Sequence, residues 1–412
     1  MSVRALEPLE AYADLLGAEA VYHVRKLAEP LRGARILHIS ITASGTHNAR
    51  ALSASVPLLR DLGLDVRVAV PTATRELDAF CAPLMAAIQG DDQAWVPGLE
   101  LAWRRYANDC ARQFDRQADL VIVHDPHFLP LRDLLASRPV GLSRWLWHCH
   151  LDLRDCDPRV FAMVRDQMSG YLGVAVELPE FAGEQPLNTV ALIPPVIDPR
   201  AERNRGLAAP IVDPVLRRLG IRPDLPLMVQ VSPFDAWDDP RAAIYTHQKA
   251  AQAIPELQLA LVWTPDFPER AAGNPFTGLS QSVHQNRSIF LLGQSDLGEV
   301  AINALQGAAK VAFHGGVHRG YSAALLESSW KGRPVLAGGS GALPEQIVHG
   351  TTGFVFESFN DAAERIVQLV GDPALADTMG LAGHRLVRKN HLVVRWLEEY
   401  LKLMTPVGNL VG

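Results

Sequence analysis

The chain alternates short, continuous apolar runs with longer segments whose apolar positions recur at helical spacing. In the first half, the run ARILHISI at 34–41 is followed by a turn, a helix-like segment at 49–63 and the run DVRVAVP at 65–71. This order is typical of a βαβ unit. Further apolar runs predict strands at these positions: 118–126, 144–152, 173–178 and 190–199. Because the runs do not alternate with polar residues, they indicate parallel strands covered by helices on both faces.

A second series of the same kind follows the proline-containing stretch IPPVIDP at 193–199. Its strand-like runs lie at these positions: 226–235, 257–265, 288–293, 310–316, 333–339 and 353–358. Two α/β series in succession predict two Rossmann-like, doubly wound parallel-sheet domains that face a central cleft. The first domain is predicted to comprise residues 1–195, with a C-terminal helix at 385–404 crossing back to it, and the second residues 196–384.

The polar residues that follow these runs are the candidates for function, because ligands of such sheets bind beyond the carboxyl ends of the strands. One segment suggests the ligand. A glycine-aromatic turn at Gly320 and Tyr321 begins a helix, and Glu327 lies further along that helix. A helix N-terminus offers free N–H groups that suit phosphate. A carboxylate beyond it could accept hydrogen bonds from ribose, so the segment predicts a nucleotide site.

Composition and charge narrow the class of protein. The 412 residues are 48% hydrophobic and 20% charged, and the net charge is −6. A mildly acidic globular protein is a poor candidate for nucleic-acid or anionic-membrane binding. No apolar run approaches the length of a membrane span, and the N-terminal segment lacks the features of a signal peptide, so we expect a cytoplasmic protein. The four cysteines have no metal-ligand spacing and are expected to be reduced thiols.

Several motifs, in this order along the chain, resemble the trehalose glycosyltransferring synthase family. They are LHISITASG, VIVHDP, WHCHLD, IPPVIDP, QVSPFDAWDDP and the long segment ESSWKGRPVLAGGSGALPEQIVHGTTGF. That family comprises retaining sugar-nucleotide glycosyltransferases of the GT4 class with the GT-B fold. The resemblance covers about residues 10–404. It implies a glycosyltransferase that uses a nucleoside diphosphate-sugar, with UDP or GDP as the nucleotide, and that forms a homodimer.

Two functional residues of the family are kept. Its ribose-binding glutamate corresponds to Glu327, and the histidine of its CHID motif, which lies near the donor sugar, corresponds to His150. Structural alternatives stay open for both residues. Glu327 could be a surface or capping carboxylate, and His150 could be a histidine satisfied within the core.

Other family positions are changed. The arginine and lysine that the motif RFDPWKDP supplies to the donor diphosphate correspond to Pro233 and Asp238. The sugar-contacting glutamate of REGFGL corresponds to Arg319, which could instead grip phosphate in bidentate fashion or be an exposed charge. Leaving-group stabilisation requires positive groups at the diphosphate, so these changes weaken it unless other groups compensate.

The acceptor site also differs, because the family's GGG turn corresponds to Gly45, Thr46 and His47. A thiol or thione acceptor is far more nucleophilic than a sugar hydroxyl and could tolerate weaker leaving-group stabilisation. Such S-glycosyl transfer is used in sugar-antibiotic assembly. The alternatives are a pseudo-glycosyltransferase, or a non-catalytic protein that binds a nucleotide or a sugar.

The candidate site residues fall into three groups, and we expect neither a metal nor another cofactor. They are His150 and Arg319 for catalysis; Glu327, Gly320, Tyr321, Ser322, Ser232 and Arg241 for the nucleotide; and Gly45, His47, Asn48, Asp125, His127 and Asp152 for the acceptor or sugar. Asp152 could equally be a helix cap, and the histidines at 124 and 127 could be turn residues.

Overall fold

The computed structural model divides the chain into two units. The first comprises Met1–Pro195 and Val393–Gly412, and the second comprises Val196–Leu392. The residues described are 8–43, 46–71, 77–114, 117–138, 143–182, 188–234, 240–264, 279, 283, 286–316, 321–339 and 343–408.

The described part of the first unit contains a six-stranded sheet in the order β2-β1-β3-β4-β5-β6. The strands are β1 Arg35–Ile39, β2 Asp65–Ala69, β3 Leu120–Val123, β4 Arg144–Cys149, β5 Val174–Val176 and β6 Thr189–Leu192. All neighbouring pairs are parallel. Their carboxyl ends therefore lie along one edge of the sheet.

The described part of the second unit contains another six-stranded parallel sheet, in the order β12-β11-β10-β7-β8-β9. The strands are β7 Leu227–Ser232, β8 Gln258–Trp263, β9 Ile289–Gly293, β10 Val311–His314, β11 Val335–Gly338 and β12 Gly353–Phe356. Met228 of β7 packs in one hydrophobic core, while Leu227, Val229 and Val231 pack in the other. Both faces of this sheet are thus covered, which explains the unbroken apolar runs.

Helices connect the strands of both units. In the first unit they are α1 Ala13–Leu16, α2 Ala18–Ala28, α3 His47–Asp61, α4 Leu77–Ile88, α5 Leu99–Ala111, α6 Leu131–Leu134 and α7 Pro158–Gln167. In the second they are α8 Ala209–Arg218, α9 Pro240–Ala250, α10 Gln294–Ala308, α11 Ala323–Trp330, α12 Phe359–Gly371 and α13 Pro373–Asn390, and α14 Val393–Gly408 returns to the first unit. No helix in the described ranges is long and apolar enough to cross a membrane.

The sequence prediction of two doubly wound parallel sheets is confirmed, but two details differ. The crossing helix predicted at 385–404 is two helices, because α13 ends at Asn390 and α14 begins at Val393. Between β2 and β3 the chain forms two helices, α4 and α5, that the apolar runs do not predict.

The C-terminal helix α14 completes the core of the first unit. It packs against α2, α3 and β6. Its Trp396 and Tyr400 are buried, and their rings lie 6.4 and 5.9 Å from the ring of His38 on β1. The sheet of the first unit is therefore covered in part by the last helix of the chain.

Helix α13 packs closely on the turn after α11, which makes Gly380 sensitive to substitution. A Cβ at Gly380 would lie 2.0 Å from the carbonyl oxygen of Gly332, a backbone atom that has little room to move. We predict that Gly380→Ala lowers the free energy of unfolding by about 1–3 kcal/mol, because the added methyl group overpacks this contact. Urea denaturation measures the change.

The matched control is Gly371→Ala at the end of α12, where an added Cβ would meet nothing within 4 Å. This control should leave stability unchanged or slightly raised, since alanine favours helix over glycine. Equal effects of the two substitutions would contradict the predicted overpacking.

Candidate functional site

A row of polar side chains follows the carboxyl edge of the first unit's sheet. His38 lies near the end of β1, and His124, His150 and Glu177 each come directly after β3, β4 and β5. These four strands are adjacent in the sheet. Neighbouring strands lie about 4.8 Å apart, which places one polar side chain per strand within reach of the next.

The four side chains form one chain of close contacts across the sheet. His38 Nδ1 lies 2.9 Å from His124 Nε2, and His124 Nδ1 lies 3.1 Å from His150 Nε2. His150 Nδ1 lies 3.2 Å from Oε1 of Glu177. His150 is the most accessible of the four, with 13% of its side chain exposed, whereas His38 is fully enclosed.

The enclosure of these histidines sets their charge. Burial lowers the pKa of His38 to about 3. Burial first, and then neighbouring imidazoles, hold the pKa of His124 and His150 well below the usual histidine value. At neutral pH all three rings are therefore neutral.

A further histidine, His148, faces the same cluster from within β4. Its Nδ1 bonds to the hydroxyl of Tyr400 on α14, and its ring centroid lies 4.0 Å from that of His150. Nitrogen atoms of His124, His148 and His150 lie within 4.8 Å of one another, a grouping that could hold a metal ion.

Three predicted acceptor residues lie directly after β3 or in the first turn of α3. Asp125 follows His124, and its Oδ2 accepts a 2.8 Å hydrogen bond from the N–H of Ile41, which ties the loop after β1 to the end of β3. Burial raises the pKa of Asp125 to about 6. His47 and Asn48 are half-buried in the first turn of α3, where Thr46 caps the helix by accepting from the N–H of Ala49. The binding roles of all three stay predictions.

His127 does not border the row, which argues against the predicted contact with acceptor or sugar. A short 3-10 turn, Pro126–Phe128, directs the side chain into the core, where it is 0% exposed. Its Nε2 lies 3.0 Å from Sγ of Cys81, and the ring of Phe80 packs on it edge-on. The structure therefore supports the turn-residue alternative for His127.

Asp152 is engaged by its own loop. Its carboxylate accepts from the backbone N–H of Arg154 at 3.1 Å and pairs with the Arg154 guanidinium at 2.6 Å. The alternative of a helix cap is wrong, because the N-cap of the next helix is Asp157, which accepts from the N–H of Arg159. An acceptor contact for Asp152 stays a prediction.

In the second unit, Glu327 is held in a buried ion pair. The residue is 2% exposed, and its Oε2 accepts 2.9 Å hydrogen bonds from Nε of Arg203 and from Nε2 of Gln306. Arg203 also pairs with Glu299 at 3.0 Å. The alternative of a surface or capping carboxylate is therefore wrong.

Lys331 extends this network one turn further along the chain. Its Nζ bonds to Asn204 Oδ1, Gln306 Oε1 and the carbonyl oxygen of Glu327, at 3.2, 3.0 and 3.2 Å. Burial lowers the pKa of Lys331 to about 7. The segment around Arg203, just after the start of the second unit, is thereby fixed to α10 and α11.

Ser322 is the N-cap of α11, but its backbone N–H already has an acceptor. Its N–H donates to Oε1 of Gln346 at 2.9 Å, and its hydroxyl accepts from the N–H of Leu325. The N–H of Ser322 could therefore reach a phosphate only by releasing Gln346. Tyr321 is half-buried, and its ring lies 6.0 Å from that of His391.

The remaining predicted nucleotide residues follow β7. Ser232 is the last residue of that strand, and its buried hydroxyl accepts from Nε2 of Gln230 at 2.9 Å. Arg241 is exposed in the first turn of α9. Four of the candidate or altered positions lie outside the described residues: Gly45, Asp238, Arg319 and Gly320.

Sequence reasoning did not select several residues that complete these clusters. They are His38, His148, Glu177 and Tyr400 in the first unit, and Arg203, Glu299, Gln306 and Lys331 in the second. His38 could have been identified from its position inside the apolar run at 34–41, which indicates a buried histidine. A buried polar side chain in such a run needs a partner.

We predict that Arg203→Met lowers the free energy of unfolding by about 3–5 kcal/mol, because it leaves a buried carboxylate without its cation. Urea denaturation measures the effect. The control is Arg205→Met, since Arg205 is exposed and lies 4.0 Å from Glu202. Combining Arg203→Met with Glu327→Met should recover most of the loss, and an additive double variant would contradict the pairing.

Comparison with known proteins finds that the chain is similar to trehalose synthases. Residues 38–183 match the family described as "Trehalose synthase, N-terminal domain". The chain is 28% identical to trehalose synthase of Pyrococcus horikoshii over 405 residues, which cover 97% of this chain and 96% of the relative. The match therefore includes both units.

Solved structures share the fold at low sequence identity. The α,α-trehalose 6-phosphate synthase of Burkholderia multivorans superposes with a TM-score of 0.73 at 14% identity, over 92% of this chain and all of that protein. Anabaena HepE in complex with UDP-glucose superposes with a TM-score of 0.66 at 16% identity, over 90% of this chain and 99% of that one. The resemblance found in the motifs is confirmed: the chain is similar to trehalose synthases along both units and has the GT-B fold.

Proposed function

We propose that the protein transfers a sugar from a nucleoside diphosphate-sugar to a small-molecule acceptor, with UDP-glucose as the first donor to test. The observation that carries this proposal is the match to a trehalose synthase along both units, at 97% of this chain. The relation to HepE, which was solved with UDP-glucose, favours UDP over GDP. In this proposal Glu327 holds the ribose, and His150 lies beside the anomeric carbon.

Glu327 suits ribose binding because its carboxylate is fixed in one orientation. Oε2 accepts from Arg203 and Gln306, and these two partners hold the carboxylate in place. A hydrogen bond from a sugar hydroxyl to a charged acceptor is stronger than one to a neutral acceptor. The preorganised carboxylate would bind ribose with little loss of side-chain entropy.

We also propose that the acceptor carries a sulfur nucleophile. Pro233 and Asp238 stand where related enzymes supply cations to the diphosphate. A weaker electrostatic site for the leaving group favours an acceptor that reacts readily near neutral pH, as a thiolate does. A cytoplasmic location, a homodimer and independence from metal ions likewise stay predictions.

The direct experiment incubates the purified protein with UDP-glucose or GDP-glucose and with glucose or a small thiol sugar. Mass spectrometry of the products reads the result. We expect release of UDP, transfer to the thiol, and the same rate in EDTA. Transfer to glucose alone would contradict the sulfur proposal, and no turnover of any nucleotide sugar would contradict the proposed function.

Arg319 is proposed to replace the cations missing from the diphosphate site. Arg319→Ala should then weaken UDP affinity by about tenfold or more, the loss of a charge-assisted contact, as measured by titration calorimetry. Arg241→Ala is the matched control and should have a smaller effect. The reverse order would show that Arg241, not Arg319, supplies the compensating charge.

A further inference from the structure

Both ring nitrogens of His150 are engaged in the structure. Nδ1 faces the carboxylate of Glu177, and Nε2 faces Nδ1 of His124. A neutral imidazole carries one proton, so each contact needs a donor on one side and an acceptor on the other. The proton positions of the whole row are therefore linked.

The carboxylate of Glu177 sets the direction in which the hydrogen bonds along the row are donated. An ionised Glu177 accepts only, so it requires Nδ1–H on His150. His150 Nε2 must then accept from Nδ1–H of His124, and His124 Nε2 must accept from Nδ1–H of His38. The row therefore carries three Nδ1–H tautomers and one carboxylate.

The opposite direction of hydrogen-bond donation is less favourable at His38, the fully buried end of the row. It would place the proton of His38 on Nε2, an atom that makes no hydrogen bond to the described residues. A buried donor without a partner costs about 1–3 kcal/mol. It would also need a protonated carboxyl group at Glu177, so both ends of the row favour the same tautomers.

We propose that Glu177 is a positioning residue of the glycosyltransferase: it locks His150 as its neutral Nδ1–H tautomer through a row that ends at His38. This inference rests on the proposed function for the placing of His150 beside the sugar. It also implies that His150 acts neither as a base nor as a cation, since both nitrogens are used.

The fixed tautomers of the row affect the transfer of the sugar through their net charge. Three neutral imidazoles and one carboxylate carry a net charge of −1. When the bond from the anomeric carbon to the diphosphate breaks, positive charge develops on the sugar ring, as in other glycosyl transfers. A fixed negative charge held behind a neutral ring stabilises that charge, whereas an imidazolium would oppose it.

Histidine labelled with 15N provides the first test, because the two ring nitrogens differ in chemical shift when one is protonated. His38→Gln, His124→Gln and His150→Gln assign the signals. At neutral pH we expect Nδ1–H at all three positions in the full-length protein. An Nε2–H tautomer at His150 in the unsubstituted protein would overturn the proposal, whether or not transfer activity is found.

Substitution of Glu177 separates its charge from its hydrogen bond. Glu177→Gln can still accept from Nδ1–H, so we expect the tautomer of His150 to persist while kcat falls about tenfold to a hundredfold with donor KM little changed. Glu177→Ala should also change the tautomer of His150. The control is Glu180→Gln, an exposed acid in the same loop.

The outcomes of the two tests are distinct. Unchanged kcat in Glu177→Gln, or an unchanged His150 tautomer in Glu177→Ala, would overturn the positioning role. Circular dichroism verifies that each variant is folded before it is compared. If the unsubstituted protein shows the Nδ1–H row but turns over no nucleotide sugar, the proposed function fails while the tautomer lock stands.

Discussion

Parallel pairing in the first unit is the constraint on which its candidate site depends. The strands β1, β3, β4 and β5 are neighbours in the sheet and run in the same direction, so residues at their carboxyl ends meet at one edge. Each strand contributes one polar group, and the spacing of the strands matches the reach of a hydrogen-bonded imidazole. A reversal of any one strand would break the row.

Much of this arrangement could be predicted from the sequence, because strand ends are visible as the points where apolar runs stop. His150 and Asp125 were predicted as site residues in this way, because each follows the end of an apolar run. The partners could not be predicted, since β1 pairs with β3 across a crossover and Tyr400 contacts His148 from 252 residues away. His127 was predicted as a site residue from its position after a strand, but it lies in the core. The 3-10 turn Pro126–Phe128 decides this orientation, and the sequence pattern does not show it.

The second unit shows the same limit for charged residues. Glu327 was expected to matter, but nothing in its local sequence indicates Arg203, which lies 124 residues earlier. Helical periodicity places Glu327 and Lys331 on one face of a turn, and the structure brings Gln306 and Asn204 to them. Ion-pair networks of this kind depend on which distant segments pack together in the fold, and the local sequence around each residue does not indicate those contacts. The altered phosphate positions could be identified only from a family resemblance.

The return of α14 to the first unit has a consequence for biosynthesis. Residues 196–392 form a contiguous unit, whereas the first unit lacks the helix that covers His38 until the last part of the chain has been made. Domains usually fold in order from the N-terminus during synthesis. Here residues 196–392 are synthesised before α14, so the first unit can complete its core only after the residues of the second unit have been made.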